Sequence, residues 1–196
     1  MPSFACSNGS TPSASDRRRY YIGLGGNIGD CRRTFSAAAG LLVKGGVRIR
    51  KTSSLYRAEP VGPRDQPWFW NAVLAVESPL APREMLQLAK AIEFGLGRKP
   101  GLRHGPRPLD IDILLAGRTV LRSAGLEIPH PRLAERRFVL VPLAEIAPRA
   151  VHPVRRKTIL SLLRETGDRS SVIRMRSAGA FLSSLSRNVP SFTSKK

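Results

Sequence analysis

Apolar residues recur at two different periods in this chain, and the periods mark out its elements. Tyr20 to Leu24 runs into the glycine-rich turn Gly25-Gly-Asn-Ile-Gly-Asp30, which predicts a strand followed by a helix. Asp30 is the expected N-cap, the helix extends to about Val43, and Gly45-Gly46 end it. Residues 47–57 mix apolar and polar positions as a second strand, and Trp68 to Glu77 reads as a third, with aromatics at its mouth. Met85, Leu86, Leu88, Ala89 and Ile92 fall at helical spacing and predict a helix from Pro82 to Phe94. Ile111, Ile113, Leu114 and Leu115 favour a buried strand that starts at Asp110. Beyond it, Ala116 to Thr119 reads as a hairpin turn into a short strand, Thr119–Leu121, and Leu126 to Pro131 as extended chain. Residues 132–146 are expected to be helical, with Pro142 breaking or kinking the helix, and 157–165 to form a last short helix. The order β-α-β-β-α-β predicts an α+β sandwich, with helices packed on one face of an antiparallel sheet.

The 196 residues are 41% hydrophobic, enough for one packed domain. The expected layout is a flexible basic leader, 1–19, a folded domain, 20–166, and a flexible Ser/Arg-rich tail, 167–196. Removing residues 168–196 is accordingly expected to leave any catalysis largely intact. No run approaches the roughly 20 apolar residues of a membrane-spanning helix. The leader lacks a secretory core, and its Ser-rich, Arg-containing composition fits either a short organellar transit peptide or plain disorder, so cytoplasm and mitochondrion both stay open. Cys6 and Cys31 form no metal or redox spacing. The net charge is +19, and more than half of that excess lies outside residues 20–148. Such charge suits a polyphosphate ligand in the domain and points only weakly to nucleic acid through the ends.

The strongest candidate chemistry is Gly105-Pro-Arg-Pro-Leu-Asp-Ile-Asp-Ile113. On a strand, Asp110 and Asp112 project from one face, roughly 7 Å apart at about 3.3 Å per residue. Two unpaired carboxylates that close repel each other, and a hard cation such as Mg²⁺ relieves this while sharing substrate phosphates. Arg98, Lys99, Arg103, His104 and Arg107 gather beside them in a glycine-rich segment suited to holding phosphates. Phe69 and Asn71 share a strand face, where a ring stacks on a flat heterocycle and an amide reads its edge. The glycines at 23, 25, 26 and 29 do not make a dinucleotide fingerprint, because Ile28 stands where the third glycine belongs.

Eight motifs occur in one order. They are Tyr21-Ile-Gly-Leu-Gly-Gly-Asn27, Ser53-Ser-Leu-Tyr-Arg57, Gly62-Pro-Arg-Asp-Gln-Pro67, Phe69-Trp-Asn71, Leu96-Gly-Arg98, Gly105-Pro-Arg-Pro-Leu-Asp-Ile-Asp112, Ile128-Pro-His130 and Arg136-Arg-Phe-Val-Leu-Val-Pro-Leu143. From about Tyr20 to about Pro153 the chain resembles the 6-hydroxymethyl-7,8-dihydropterin pyrophosphokinases of folate biosynthesis, in their plant-like, eukaryotic branch. The resemblance implies a ferredoxin-like fold and Mg²⁺-dependent transfer of the β,γ-pyrophosphoryl group of ATP to the pterin hydroxymethyl oxygen, releasing AMP. It implies that Asp110 and Asp112 hold two Mg²⁺ ions and, with Arg98 and Arg107, carry catalysis. Glu93, Arg98, Arg107, Ile113, His130 and Arg136 would serve ATP, and Ala58, Glu59, Val61, Phe69, Asn71 and Phe138 the pterin. Whether Asp110 also receives the hydroxyl proton stays open. The sequence departs from relatives at Pro100, His104, Gly125 and Pro131, which bears on the nucleotide contacts more than on the metal pair.

In that branch the kinase is often fused to a dihydropteroate synthase, which makes such a domain or protein the expected partner. A chain of this length reads as a stand-alone kinase, a fragment of a fusion or a truncated gene model. The competing expectations are a ferredoxin-like nucleic-acid-binding module and a catalytically inactive relative. Against the first, the aromatic-glycine strand signature of RNA-binding sheets is absent.

Overall fold

The computed structural model describes residues 17–62, 65–98 and 105–175. Its centre is β1 (Arg18–Gly26), flanked on one side by β4 (Phe69–Ser78) and on the other by β5 (Asp110–Ala116), all antiparallel. Along the far edge of β4 lie β2 (Arg48–Thr52) and β3 (Tyr56–Ala58), end to end. One continuous strand was expected over 47–57. The break falls at Ser53, whose Oγ accepts the Val73 N–H at 2.9 Å while its own N–H donates to Val73 O. A side chain that substitutes for the ladder interrupts it.

The alternation works as period two requires. Tyr20, Ile22 and Leu24 of β1, Leu74 and Val76 of β4, and Ile111 and Ile113 of β5 all face one way. They meet Phe35, Ala38 and Leu42 of α1 (Cys31–Lys44) and Met85, Ala89 and Ile92 of α2 (Pro82–Gly95). Fully burying side chains such as Phe35, Leu42 and Met85 contributes about 1.5–3 kcal/mol each. Asp30 caps α1 as expected, its Oδ1 accepting the N–H groups of Arg32 and Arg33. At the start of α2, Pro82 occupies the first turn and the Glu84 carboxylate accepts the Ala81 N–H.

The opposite face is only partly covered. Residues 133–135 form a 3-10 turn, and Arg136, extended at φ −113°, separates it from α3 (Arg137–Ile146). The single helix expected over 132–146 is therefore two pieces. Pro142 does not break α3; it lies buried within the helix beside Leu140 and Leu143. Packing of α3 and α4 (Ile159–Glu165) on Val73 and Leu114 closes a second apolar cluster at one end of this face.

Two hairpins stand off the sheet, β6 (Leu121–Ser123) with β7 (Leu126–Ile128) and β8 (Val151–His152) with β9 (Lys157–Thr158). The expected turn at 116–119 is present, with the Thr119 N–H donating to Ala116 O, but the strand after it starts at Leu121 and pairs with β7 instead of β5. The segment read as a flexible tail holds β10 (Val172–Arg174), which pairs with β3 and extends the sheet. No helix among the described residues is long and apolar enough to cross a membrane.

Candidate functional site

The uncovered part of the second face is a cleft of about 520 Å³. Strand register builds its floor. Asn71, Gly25 and Asp110 stand opposite one another on β4, β1 and β5, and Val73, Gly23 and Asp112 do so two residues on. With strands about 4.8 Å apart, the Asn71 and Asp110 backbones are roughly 10 Å apart, and only glycine lies between them. A Cβ at Gly25 would stand 3.8 Å from both Asn71 Oδ1 and Asp110 Cβ, so this glycine keeps the floor low. Gly26 has a different task, since a Cβ there would come within 2.5 Å of Pro108 O.

That close approach seats the Gly-Pro-Arg segment over the end of β1. Asn27 ties it down: its Oδ1 accepts the Arg107 N–H at 2.8 Å and its own N–H donates to Arg107 O at 2.9 Å. The Asn27 amide also donates to Gln66 Oε1 and Pro67 O, so one buried side chain links the loops on both sides of the cleft. The sequence places Asn27 in the first motif, where nothing local signals this role.

At one end of the floor are the carboxylates. Asp110 is clamped, with Arg98 Nη1 donating to Oδ1 at 2.6 Å and Arg107 Nη1 to Oδ2 at 2.9 Å. The Asp112 carboxylate makes no hydrogen bond or ion pair among the described residues. Burial, with Asp110 close by, pushes its carboxyl up to about 6. For Arg98, burial works against the charge, but Asp110 and Glu93 outweigh it and hold the guanidinium above its ordinary value.

Glu93 is 2% exposed and stands behind the cleft. Its carboxylate accepts from the Ile111 N–H at 2.7 Å and from Lys90 Nζ, and pairs with Arg98 at 2.5 Å. Ile113, placed among the nucleotide residues by resemblance, carries its side chain into the helix-side core, because alternation assigns only Asp110, Asp112 and Leu114 of β5 to the cleft.

A cationic wall comes from the far side. His130, Arg132 and Arg136 line the cleft, joined by Lys90 from α2. His130 Nδ1 accepts the Arg132 N–H at 3.2 Å, which assigns the neutral ring's proton to Nε2. Burial, helped by Arg136 and Arg132, pushes this imidazole down to about 4. Burial and Arg132 also lower Arg136. Lys90 and Arg132 were missed by sequence reading. Their only signals are spacing, Lys90 one turn before Glu93 and Arg132 two residues after His130.

The other end combines aromatic and aliphatic side chains with an amide and a carboxylate. Ala58, Glu59, Val61, Phe69, Asn71 and Phe138, the residues assigned to the pterin by resemblance, are among those that line the cleft. Asn71 is 6% exposed, with Nδ2 donating to Phe69 O at 3.2 Å. The Arg136 guanidinium lies over the Phe138 ring at 5.5 Å. Of the other candidates, Lys99, Pro100, Arg103 and His104 lie outside the described residues.

The donor set fits a small hard cation. Asp110 and Asp112 offer oxygens on one face, and no group of three or more His, Cys, Asp or Glu side chains gathers around them among the described residues. Mg²⁺ ordinarily takes one or two carboxylates and completes its shell with water and substrate phosphates.

Comparison with known proteins places these features in a family. The model of the 7,8-dihydro-6-hydroxymethylpterin-pyrophosphokinase family matches residues 21–148. The mitochondrial folate synthesis bifunctional protein of Arabidopsis thaliana is 44% identical over 137 residues, 70% of this chain and 25% of that one. The 2-amino-4-hydroxy-6-hydroxymethyldihydropteridine pyrophosphokinase of Bacillus subtilis is 46% identical over 127 residues, 64% of this chain and 76% of that one. The chain thus spans about a quarter of the length of the plant bifunctional relatives it matches. Among solved structures, wild-type Plasmodium falciparum HPPK-DHPS with pteroate superposes at a TM-score of 0.62, with 15% identity, over 76% of this chain and 44% of that one. At that identity the likeness concerns the fold.

Proposed function

This chain belongs to the 7,8-dihydro-6-hydroxymethylpterin-pyrophosphokinase family, and from that premise we propose that it transfers pyrophosphate from ATP to 6-hydroxymethyl-7,8-dihydropterin in folate biosynthesis. The observation that carries this reading is the cleft floor itself, with an amide-and-aromatic end and a paired-carboxylate end joined by two glycines.

The pterin lies between Phe69 and Phe138, and the Asn71 amide with the main chain of Ala58 to Val61 reads its edge. Its hydroxymethyl group then points along Gly25 towards Asp110. ATP extends its phosphates along Arg98, Arg107, Lys90, Arg132 and Arg136, and His130 Nε2–H donates to them. In the transfer, the hydroxymethyl oxygen bonds to the β-phosphorus, the bond from that phosphorus to the α-phosphate oxygen breaks, and AMP leaves. The hydroxyl proton passes to a carboxylate of the pair or to water. The protein's contribution is alignment and charge neutralisation, since phosphoryl transfer asks little covalent work of it. Asp110 and Asp112 are the residues to hold Mg²⁺, two ions on this reading, which would supply charge neutralisation at the phosphate oxygens. Glu93 is proposed to act from behind, fixing Arg98 and the first turn of β5, and the role given to Ile113 reduces to its main chain.

A nucleic-acid module is the weaker reading, because the sheet face offered to bases carries Asp110 and Asp112, which repel phosphates without a cation. An inactive relative is weaker too, since both carboxylates and Asn71 are in place. A dihydropteroate synthase, fused or separate, is the proposed partner, given the bifunctional names of the plant relatives. The mitochondrial names of those relatives favour that organelle over the cytoplasm, and a fluorescent fusion of residues 1–19 tests it.

The deciding experiment incubates the protein with ATP, Mg²⁺ and the pterin and follows nucleotides by chromatography. AMP that forms only when the pterin is present is the expected result, and ADP or no product overturns the reading. Asp112→Ala should lower turnover by at least about a hundredfold, and unimpaired turnover would remove the metal role from Asp112.

A further inference from the structure

The family match ends at residue 148, yet residues 166–175 are built into both walls of the amide-and-aromatic end of the cleft. Helix α3 opens with Arg136 and Arg137 and has no side-chain cap of its own. Its first amide is an orphan donor of the kind every helix start leaves. Asp168 satisfies it from 31 positions away: Oδ2 accepts the Arg137 N–H at 2.7 Å, while Oδ1 accepts the Ser170 N–H at 2.8 Å. The residues on either side of that anchored amide, Arg136 and Phe138, are the ones that face the cleft.

The same segment then runs along the opposite wall. The Glu59 N–H donates to Ser171 O, Val172 pairs with Ala58, and the Met175 N–H donates to Leu55 O. Arg174 adds hydrogen bonds to Ser54 Oγ and Glu145 Oε1. Without this strap β3, only three residues long, would be an open edge, and the backbone ladder of the chain entering Glu59 and Val61 would rest on β4 alone, with the Tyr56 hydroxyl on Glu145 as its side-chain tie. A second cavity of about 730 Å³ lies between strap and loop, lined by Glu59, Val61, Arg136 and Asp168 among others, so little else packs behind that wall.

We propose that residues 166–175, anchored by Asp168, are a positioning element that sets the gap between the Phe138 wall and the Ala58–Val61 wall and thereby the affinity for the flat heterocyclic substrate. The inference rests on the pyrophosphokinase reading for the identity of that substrate. It also reverses the expectation that residues from 168 onward are dispensable.

The test uses the full chain with Asp168→Ala, Asp168→Asn and Ile173→Pro. Ile173 is 52% exposed and pairs with Arg57, so proline there removes a ladder bond without touching the core. Asp168→Ala and Ile173→Pro should each raise KM for the pterin by about tenfold; Ile173→Pro, on the wall away from Arg136, should change kcat and KM for ATP by less than about twofold, whereas Asp168→Ala, which also loosens Arg136, should raise KM for ATP as well. Asp168→Asn keeps one acceptor oxygen for the two N–H groups that Asp168 serves, so it should recover part of the loss and fall between Asp168→Ala and the parent. If the unaltered chain makes AMP and the two disruptive variants melt cooperatively with pterin KM unchanged, the strap proposal fails by itself. If the unaltered chain makes no AMP, the pyrophosphokinase reading fails and the strap proposal with it. Should Asp168→Ala not fold, Ile173→Pro and Asp168→Asn decide.

Discussion

His130 is a half-buried base held neutral. Its Nδ1 is occupied by the Arg132 N–H, and burial together with Arg136 and Arg132 brings its pKa down to about 4. The unfolded chain would bind a proton at the ordinary value of about 6.5. Between those values the unfolded state takes up a proton that the folded state refuses, so stability falls as pH falls. The contribution is fully present above about pH 6.5 and is lost progressively towards pH 4. Thermal melts from pH 4 to 7 should therefore show a flatter acid limb for His130→Gln than for the parent, and the parent imidazole should titrate near 4 by NMR. An imidazole titrating near 6.5 would contradict the half-buried neutral ring. The practical consequence is that the cationic wall of the cleft keeps a constant donor, Nε2–H, across physiological pH.

Strand β1 shows how an element can matter through what it lacks. Its helix-facing residues, Tyr20, Ile22 and Leu24, are fully or almost fully buried, while Gly23 and Gly25 leave the other face bare. Neither glycine has a positive φ, so a side chain at Gly25 meets no backbone strain. Gly25→Val is expected to leave the melting temperature within a few degrees, since nothing closer than 3.8 Å meets its Cβ. The same branched side chain would fill the floor between Asn71 and Asp110 and lower turnover by at least about a hundredfold, as a misplacement of reacting groups of about 1 Å already does. Retained turnover in a folded Gly25→Val chain would show that the substrates do not meet over that residue. Gly26 next door behaves differently, because there the obstacle is the carbonyl of Pro108 and the cost would fall on folding.

For the whole molecule, the dominant feature is opposition of charge within one cleft. Asp110 is already neutralised by Arg98 and Arg107, whereas Asp112 stands without a partner among the described residues. ATP alone brings more negative charge to that carboxylate, and Mg²⁺ between the phosphates and the carboxylate offsets part of it. At about a hundred times its Kd, Mg²⁺-ATP should stabilise the folded state by about 2.7 kcal/mol. For a chain of this size that raises Tm by roughly 5–10 °C. The shift should be much smaller with a chelator present, and an equal shift in both conditions would argue against a cation shared by Asp110 and Asp112.

Local periodicity made much of this molecule legible. Period-two alternation assigned Asp110 and Asp112 to a shared face, and helical spacing with Asp30 and Pro82 located the two long helices, because side-chain direction and capping depend on neighbours a few residues away. The ordered motifs named the family and most of the residues that line the cleft. Long-range partners left no such trace. That Ser53 breaks a strand by bonding Val73, that Asn27 joins two loops, that Lys90 and Arg132 complete the cationic wall, and that Asp168 caps a helix begun 31 residues earlier all depend on cross-strand register and on which buried N–H groups lack a partner. Those are set when elements pack against one another, and a hydrogen bond between distant residues has no period to read.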